Sequence, residues 1–113
     1  MNTIYSPSLT LELTPETPEL CLTLPNQFDI RSVPAVREQF EAALTTMAAE
    51  VVLDFSAVEF IDSSAIGAVI FLFKRLRTEG RRLSLLQVSG QPWRTLLMLK
   101  VDKAIPFITK DES

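Results

Sequence analysis

Val51-Val52-Leu53-Asp54-Phe55 is an apolar run of strand length, and Ala65 to Phe73 is an apolar run ahead of Lys74-Arg75 with the length and spacing of a helix. Between them lies a polar stretch that closes on Asp62-Ser63-Ser64. A strand led through a turn into a helix is the working unit of α/β domains, in which helices cover a sheet. The junction also gathers polar chemistry. The N–H groups of a helix's first turn lack partners within the helix and sit at the positive end of its dipole, so a hydroxyl there can cap the helix or carry a phosphate. Ser63 and Ser64 are expected to cap in this way. On composition alone the same residues describe an ordinary capped helix start.

The flanking segments fit the same architecture. Leu9-Thr10-Leu11-Glu12-Leu13 and Leu20-Cys21-Leu22-Thr23-Leu24 alternate at period two around Pro15 and Pro18, which predicts an opening hairpin. Pro25 to Arg31 reads as an irregular connection. Ser32 with Pro34 marks a helix start, and Val36, Phe40, Ala43, Leu44 and Met47 recur at helical spacing to about Ala49. The second helix is predicted from Ser64 to about Glu79, with Gly80 as its stop. Steps of 100° place Ile66, Val69, Ile70, Phe73 and Leu76 on its buried face and Ala68, Phe71 and Arg75 opposite, where Ala68 and Phe71 would be exposed or covered by a partner.

Arg82 to Val88 is a further strand and Pro92 to about Lys100 a short helix that offers Trp93, Leu96, Leu97 and Leu99 for burial, before an edge strand over Ile105 to Ile108. Arg81-Arg82 and Lys74-Arg75-Arg77 read as solvated charge near a helix end. The whole predicts one α/β domain over residues 1–113, its core at about 9–108, with a mixed β-sheet and helices packed mainly on one face.

Composition removes many functions. The 113 residues include no histidine and one cysteine, Cys21, so neither a zinc set of the usual kind nor a Ser-His-Asp or Cys-His nucleophile can be assembled in one chain. No metal site, cofactor or catalytic residue is expected. A net charge of −3 offers no footprint for direct nucleic-acid binding. The longest apolar run is about half the ~20 residues that span a bilayer, so no membrane insertion is expected, and a cytoplasmic location follows from the absence of a visible secretory signal.

The segment Val51-Val52-Leu53-Asp54-Phe55-Ser56-Ala57-Val58-Glu59-Phe60-Ile61-Asp62-Ser63-Ser64-Ala65-Ile66-Gly67 resembles the STAS domain of bacterial anti-sigma factor antagonists, whose pattern is V-V-L-D-L-S-x-V-x-F-I-D-S-S-G-L-G. The resemblance extends from Leu9 to Ile108. It implies a phosphoprotein of a partner-switching pathway that regulates transcription. The unphosphorylated form would bind an anti-sigma factor serine kinase and release sigma factor, phosphorylation of Ser63 would end that binding, and a serine phosphatase would restore it. It implies a second site residue in Asp29, within Phe28-Asp29-Ile30, although Asp29 reads equally well as a dipole partner for the helix opening near Ser32. Asp62, Ser63, Ser64, Ala65, Ala68 and Phe71 complete the expected partner surface. Ala65 stands where the family usually has glycine, and its methyl group is expected to narrow a partner's approach. The same resemblance also allows a non-catalytic adaptor subunit of a stress-signalling or lipid-transport complex.

Overall fold

The structure, a computed structural model, describes residues 9–12 and 19–109. Leu9–Glu12 (β1) and Glu19–Thr23 (β2) pair antiparallel, with Leu9 opposite Leu22, as the alternating runs predict. Glu50–Asp54 (β4) runs parallel to β2 on one side and to Arg82–Leu86 (β6) on the other, and Phe107–Ile108 (β7) closes the sheet parallel to β6. The spatial order is β1-β2-β4-β6-β7. Two two-residue strands, Gln27–Phe28 (β3) and Phe60–Ile61 (β5), form a separate parallel pair.

Parallel neighbours need crossovers, and two right-handed crossovers that step the same way across a sheet put their helices on the same face. The crossovers that join β2 to β4 and β4 to β6 are Val33–Leu44 (α1) and Ser63–Thr78 (α2). Leu20, Leu22 and Leu24, Val51 and Leu53, and Leu83 and Leu85 point into one core with Phe40 of α1, Leu72 and Leu76 of α2, and Leu96 of the third helix, Gly90–Met98 (α3). The mixed sheet with helices gathered on one face matches the sequence expectation.

Several details depart from it. Helix α1 stops at Leu44 because the Thr45 and Thr46 hydroxyls donate to the carbonyls of Ala42 and Ala43, at 2.7 and 2.8 Å, in competition with a further turn. Met47, expected in the core, is 90% exposed, and Ala48 is buried instead. On α2 the buried residues are Ala65, Ala68, Val69, Leu72 and Leu76, while Ile66, Ile70 and Phe73 are only half-buried. Ala68 is thus a core residue and not a surface one. The buried arc is centred between Leu72 and Leu76 and is rotated from the predicted face toward Ala65 and Ala68, which leaves Ile66, Ile70 and Phe73 at its flank. Phe71 is half-buried, with the Arg37 guanidinium 4.6 Å from its ring centroid and that of Arg75 at 5.6 Å.

Helix α3 begins at Gly90, two residues ahead of Pro92, and ends before Lys100, whose φ of 61° breaks it. So short a helix buries Pro92 and Leu96 but leaves Trp93 and Leu99 exposed and Leu97 half-buried. Val101 and Ile105, in the turn beyond, supply the missing core contacts.

Arg81 is no solvated charge. Its Nε donates to the Ala48 carbonyl at 2.7 Å and its Nη atoms to the carbonyls of Ala43 and Leu44 at 3.1 and 3.3 Å, while Glu79 pairs with it at 2.8 Å. One guanidinium therefore ties together carbonyls in and just beyond the last turn of α1, adding to the Thr46 bond on Ala43, where a cation also meets the negative end of the dipole. Arg81→Ala should destabilise the domain by about 2 kcal/mol, through loss of charge-assisted hydrogen bonds at a largely buried side chain. Arg82→Ala should change stability by less than about 0.5 kcal/mol, since Arg82 is exposed and 3.7 Å from Glu50. Urea unfolding of the two variants separates the cases.

Candidate functional site

The candidate site is built where two loops run side by side at the end of the sheet that receives the N-terminus of α2. Asn26 joins them first. Its Nδ2 donates to the Ala57 carbonyl at 3.1 Å, and its own carbonyl accepts from the Glu59 N–H at 2.8 Å. The β3–β5 ladder continues the seam, with Gln27 opposite Phe60 and Phe28 opposite Ile61. Phe28 and Ile61 are buried, which anchors the pair to the core, while Gln27 and Phe60 face outward. The segment expected to be irregular thus contains a strand, too short to show alternation in the sequence.

Gln91 closes the other edge of β5. Its Oε1 accepts from the Ile61 N–H at 2.9 Å and its Nε2 donates to the Ile61 carbonyl at 3.0 Å, so one carboxamide replaces a neighbouring strand. Nothing in the sequence around Gln91 signals this role, because its partner lies 30 residues away.

Asp62 completes the seam and starts the helix. Its Oδ1 accepts from the Ala65 N–H at 3.0 Å, which makes it the N-cap of α2, and its Oδ2 accepts from the Ile30 N–H at 2.9 Å across the seam. The cap is therefore Asp62 and not the Ser63 or Ser64 hydroxyl. With both carboxylate oxygens engaged, Asp62 fixes the position of Ser63, the first helical residue. The Ser63 side chain is exposed, Ser64 is half-buried, and neither hydroxyl has a hydrogen-bond partner among the described residues.

Asp29 sits at the other side of the seam and is turned inward. It is 8% exposed; its Oδ1 accepts from the Arg31 N–H at 3.0 Å and its Oδ2 pairs with the Arg31 guanidinium at 3.3 Å. Its carbonyl accepts from the N–H groups of Ser32 and Val33 at the start of α1, while the Ser32 hydroxyl donates to the Gln27 carbonyl at 2.8 Å and makes no cap of its own. Asp29 shapes the loop that presents Ile30.

Burial pushes the Asp29 carboxyl up, but the Arg31 amide, the Arg31 guanidinium and the Ser32 amide together hold it below the usual value of 3.8. A carboxyl lowered on folding stabilises the fold above its unfolded value, and that contribution is lost as pH falls through the lower folded value. Wild-type stability should therefore fall faster than that of Asp29→Asn as pH drops below 3.8, with parallel curves above about pH 5. Urea midpoints measured across acid pH test this.

Ala65 is 1% exposed and belongs to the core cluster, so its methyl group points away from any partner. The methyl group that stands where the family usually has glycine is thus packed inside the domain. Ala65 and Ala68 both drop out of the partner surface expected from sequence, whereas Ile30, 65% exposed beside the Asp62 carboxylate, is a surface residue that sequence reasoning passed over.

The model of the STAS domain matches residues 9–112. The chain belongs to the STAS domain family. No curated protein matches this STAS domain in a sequence comparison. Among solved structures it is similar to a putative anti-sigma factor antagonist, tm1081, from Thermotoga maritima (20% identity, TM-score 0.75, 91% of this chain and 86% of that one). An anti-sigma factor antagonist domain protein from Planctomyces limnophilus is alike in fold (19% identity, TM-score 0.75, 91% of each chain). The Bacillus anti-sigma factor antagonist SpoIIAA matches in its unphosphorylated form (23% identity, TM-score 0.64, 93% of this chain and 89% of that one) and in its phosphorylated form (20% identity, TM-score 0.68, 92% of each chain). Among the described residues, no helix is long and apolar enough to cross a membrane.

Proposed function

We propose that this STAS domain is an anti-sigma factor antagonist that acts by partner switching. Its unphosphorylated form binds an anti-sigma serine kinase and so releases sigma factor, and phosphorylation on Ser63 ends the binding. The observation that carries this reading is the pairing of an immobilised Asp62 with an exposed Ser63 hydroxyl that has no partner among the described residues. Ser63 is the substrate and not a nucleophile of this chain, which has no histidine to act as its base. In the transfer, the Ser63 oxygen bonds to the γ-phosphorus of ATP, the bond to ADP breaks, and the hydroxyl proton passes to a base of the kinase. A phosphatase returns the hydroxyl by hydrolysis.

Phosphate adds about −1.5 to −2 charges at pH 7. The first turn of α2 tolerates this charge, and no Ser63 hydrogen bond among the described residues is lost, so the fold stays as it is. A partner surface pressed against the site meets a desolvated charge, next to that of Asp62, which its contacts were not built to accept. Tandem mass spectrometry of the protein from growing and stressed cells tests the assignment. The expected result is phosphate on Ser63 whose occupancy changes with condition; phosphate confined to Ser64, or an unmodified pair in both states, contradicts it.

A further inference from the structure

Gly67 lies one turn beyond Ser63 on the exposed side of α2, and the fold gives no reason for a glycine there. Its φ is not in the left-handed region, and a methyl group placed on it would meet no atom within 4 Å beyond its two chain neighbours and the helix's own backbone. Glycine in a helix interior is destabilising relative to alanine, so the position works against the stability of α2 with no packing or backbone return. Places where a local rule is broken without structural need point to function.

The geometry of a helix says which function. Each Cα–Cβ bond leans toward the helix N-terminus, so a side chain covers the surface over the turn that precedes it. A side chain at position 67 would lean over position 63. We infer that Gly67 is a specificity-determining residue that keeps the Ser63 hydroxyl open to the partner, letting a kinase surface reach the first turn of α2 at backbone distance. The inference rests on the partner-switching reading and adds to it the residue that sets the closeness of approach. Asp62 and Ile30 border the acceptor on the seam side, where they are tied to each other, and Gly67 leaves the helix side clear.

The test uses the full chain as wild type, Gly67→Ala, Gly67→Gln, Ser63→Ala and Ser63→Asp. It is run against each purified anti-sigma serine kinase of the source cell with Mg-ATP. Gly67→Ala should raise the melting temperature by roughly 4 °C, and Gly67→Gln should not lower it. Gly67→Gln should nevertheless lose about a hundredfold, and Gly67→Ala up to about tenfold, in both capture affinity and kcat/KM for phosphorylation of Ser63. A fold that gains stability while recognition is lost separates an access role from a structural one. Gly67→Gln captured and phosphorylated like wild type overturns the inference alone, provided Ser63→Ala and Ser63→Asp still differ in binding. Equal binding by those two, or no binding of wild type to any of the kinases, overturns the switching reading and the inference with it. A lowered melting temperature for Gly67→Ala overturns the inference in favour of a structural glycine.

Discussion

Ser63→Asp should bind the anti-sigma kinase at least about a hundredfold more weakly than Ser63→Ala, which should bind like wild type. The size follows from the site. A like-charge or desolvation penalty of about 3 kcal/mol at a closed interface corresponds to roughly two orders of magnitude in dissociation constant. The direction follows from what each change leaves undisturbed. Ser63 is exposed and makes no hydrogen bond among the described residues, so removing its hydroxyl costs the free protein little. An aspartate at the first position of α2 meets the positive end of the helix, which stabilises a carboxylate there by about 0.3–1 kcal/mol. Ser63→Asp should thus fold at least as well as wild type, and its loss of binding cannot be ascribed to unfolding. Isothermal titration with circular dichroism on the same samples reads both quantities.

Asp62→Ala should destabilise the domain by about 2–3 kcal/mol, from the loss of a helix cap together with a charge-assisted bond to a second loop. The Ala65 and Ile30 N–H groups lose one acceptor side chain at once, so the start of α2 and the loop before α1 loosen together. For a domain of this size that is a fall of roughly 10 °C in melting temperature. Asp62→Asn keeps a side-chain oxygen for the cap and should lose about half as much. The Asp62→Ala variant should also be a poorer kinase substrate than its residual folded fraction predicts, because Ser63 is placed by the cap that was removed. Thermal unfolding beside phosphorylation kinetics in the folded range makes the comparison.

The sequence made the sheet order's ingredients legible where a period had room to repeat. The alternation in Leu20 to Leu24 marked β2 and its inward face, and the continuous run from Val51 marked a strand buried at the centre. The strand, turn and helix around Asp62-Ser63-Ser64 located the candidate site. What escaped was short or distant. Two-residue strands such as β3 and β5 show no period, and the bonds that pin the site and α1, from Gln91 to Ile61 and from Arg81 to Ala48, span 30 and 33 residues. The buried face of α2 differs from the expected one because Ala65 and Ala68 carry little hydrophobic weight in a helical projection, which turns the predicted arc toward Ile66, Ile70 and Phe73. The capping role went to Asp62 because it is the last extended residue before α2, and its two carboxylate oxygens hold the Ala65 and Ile30 N–H groups at once.

The central claim is that a charge placed on Ser63 ends partner binding without refolding the domain. It is tested most directly by measuring the affinity of one purified kinase for this protein before and after stoichiometric phosphorylation of Ser63, with the melting temperature of both forms. The expected result is a loss of at least about a hundredfold in affinity with a melting temperature changed by no more than a few degrees. A phosphorylated form that binds as tightly as the unmodified one, or that releases its partner only because the domain has unfolded, would contradict it.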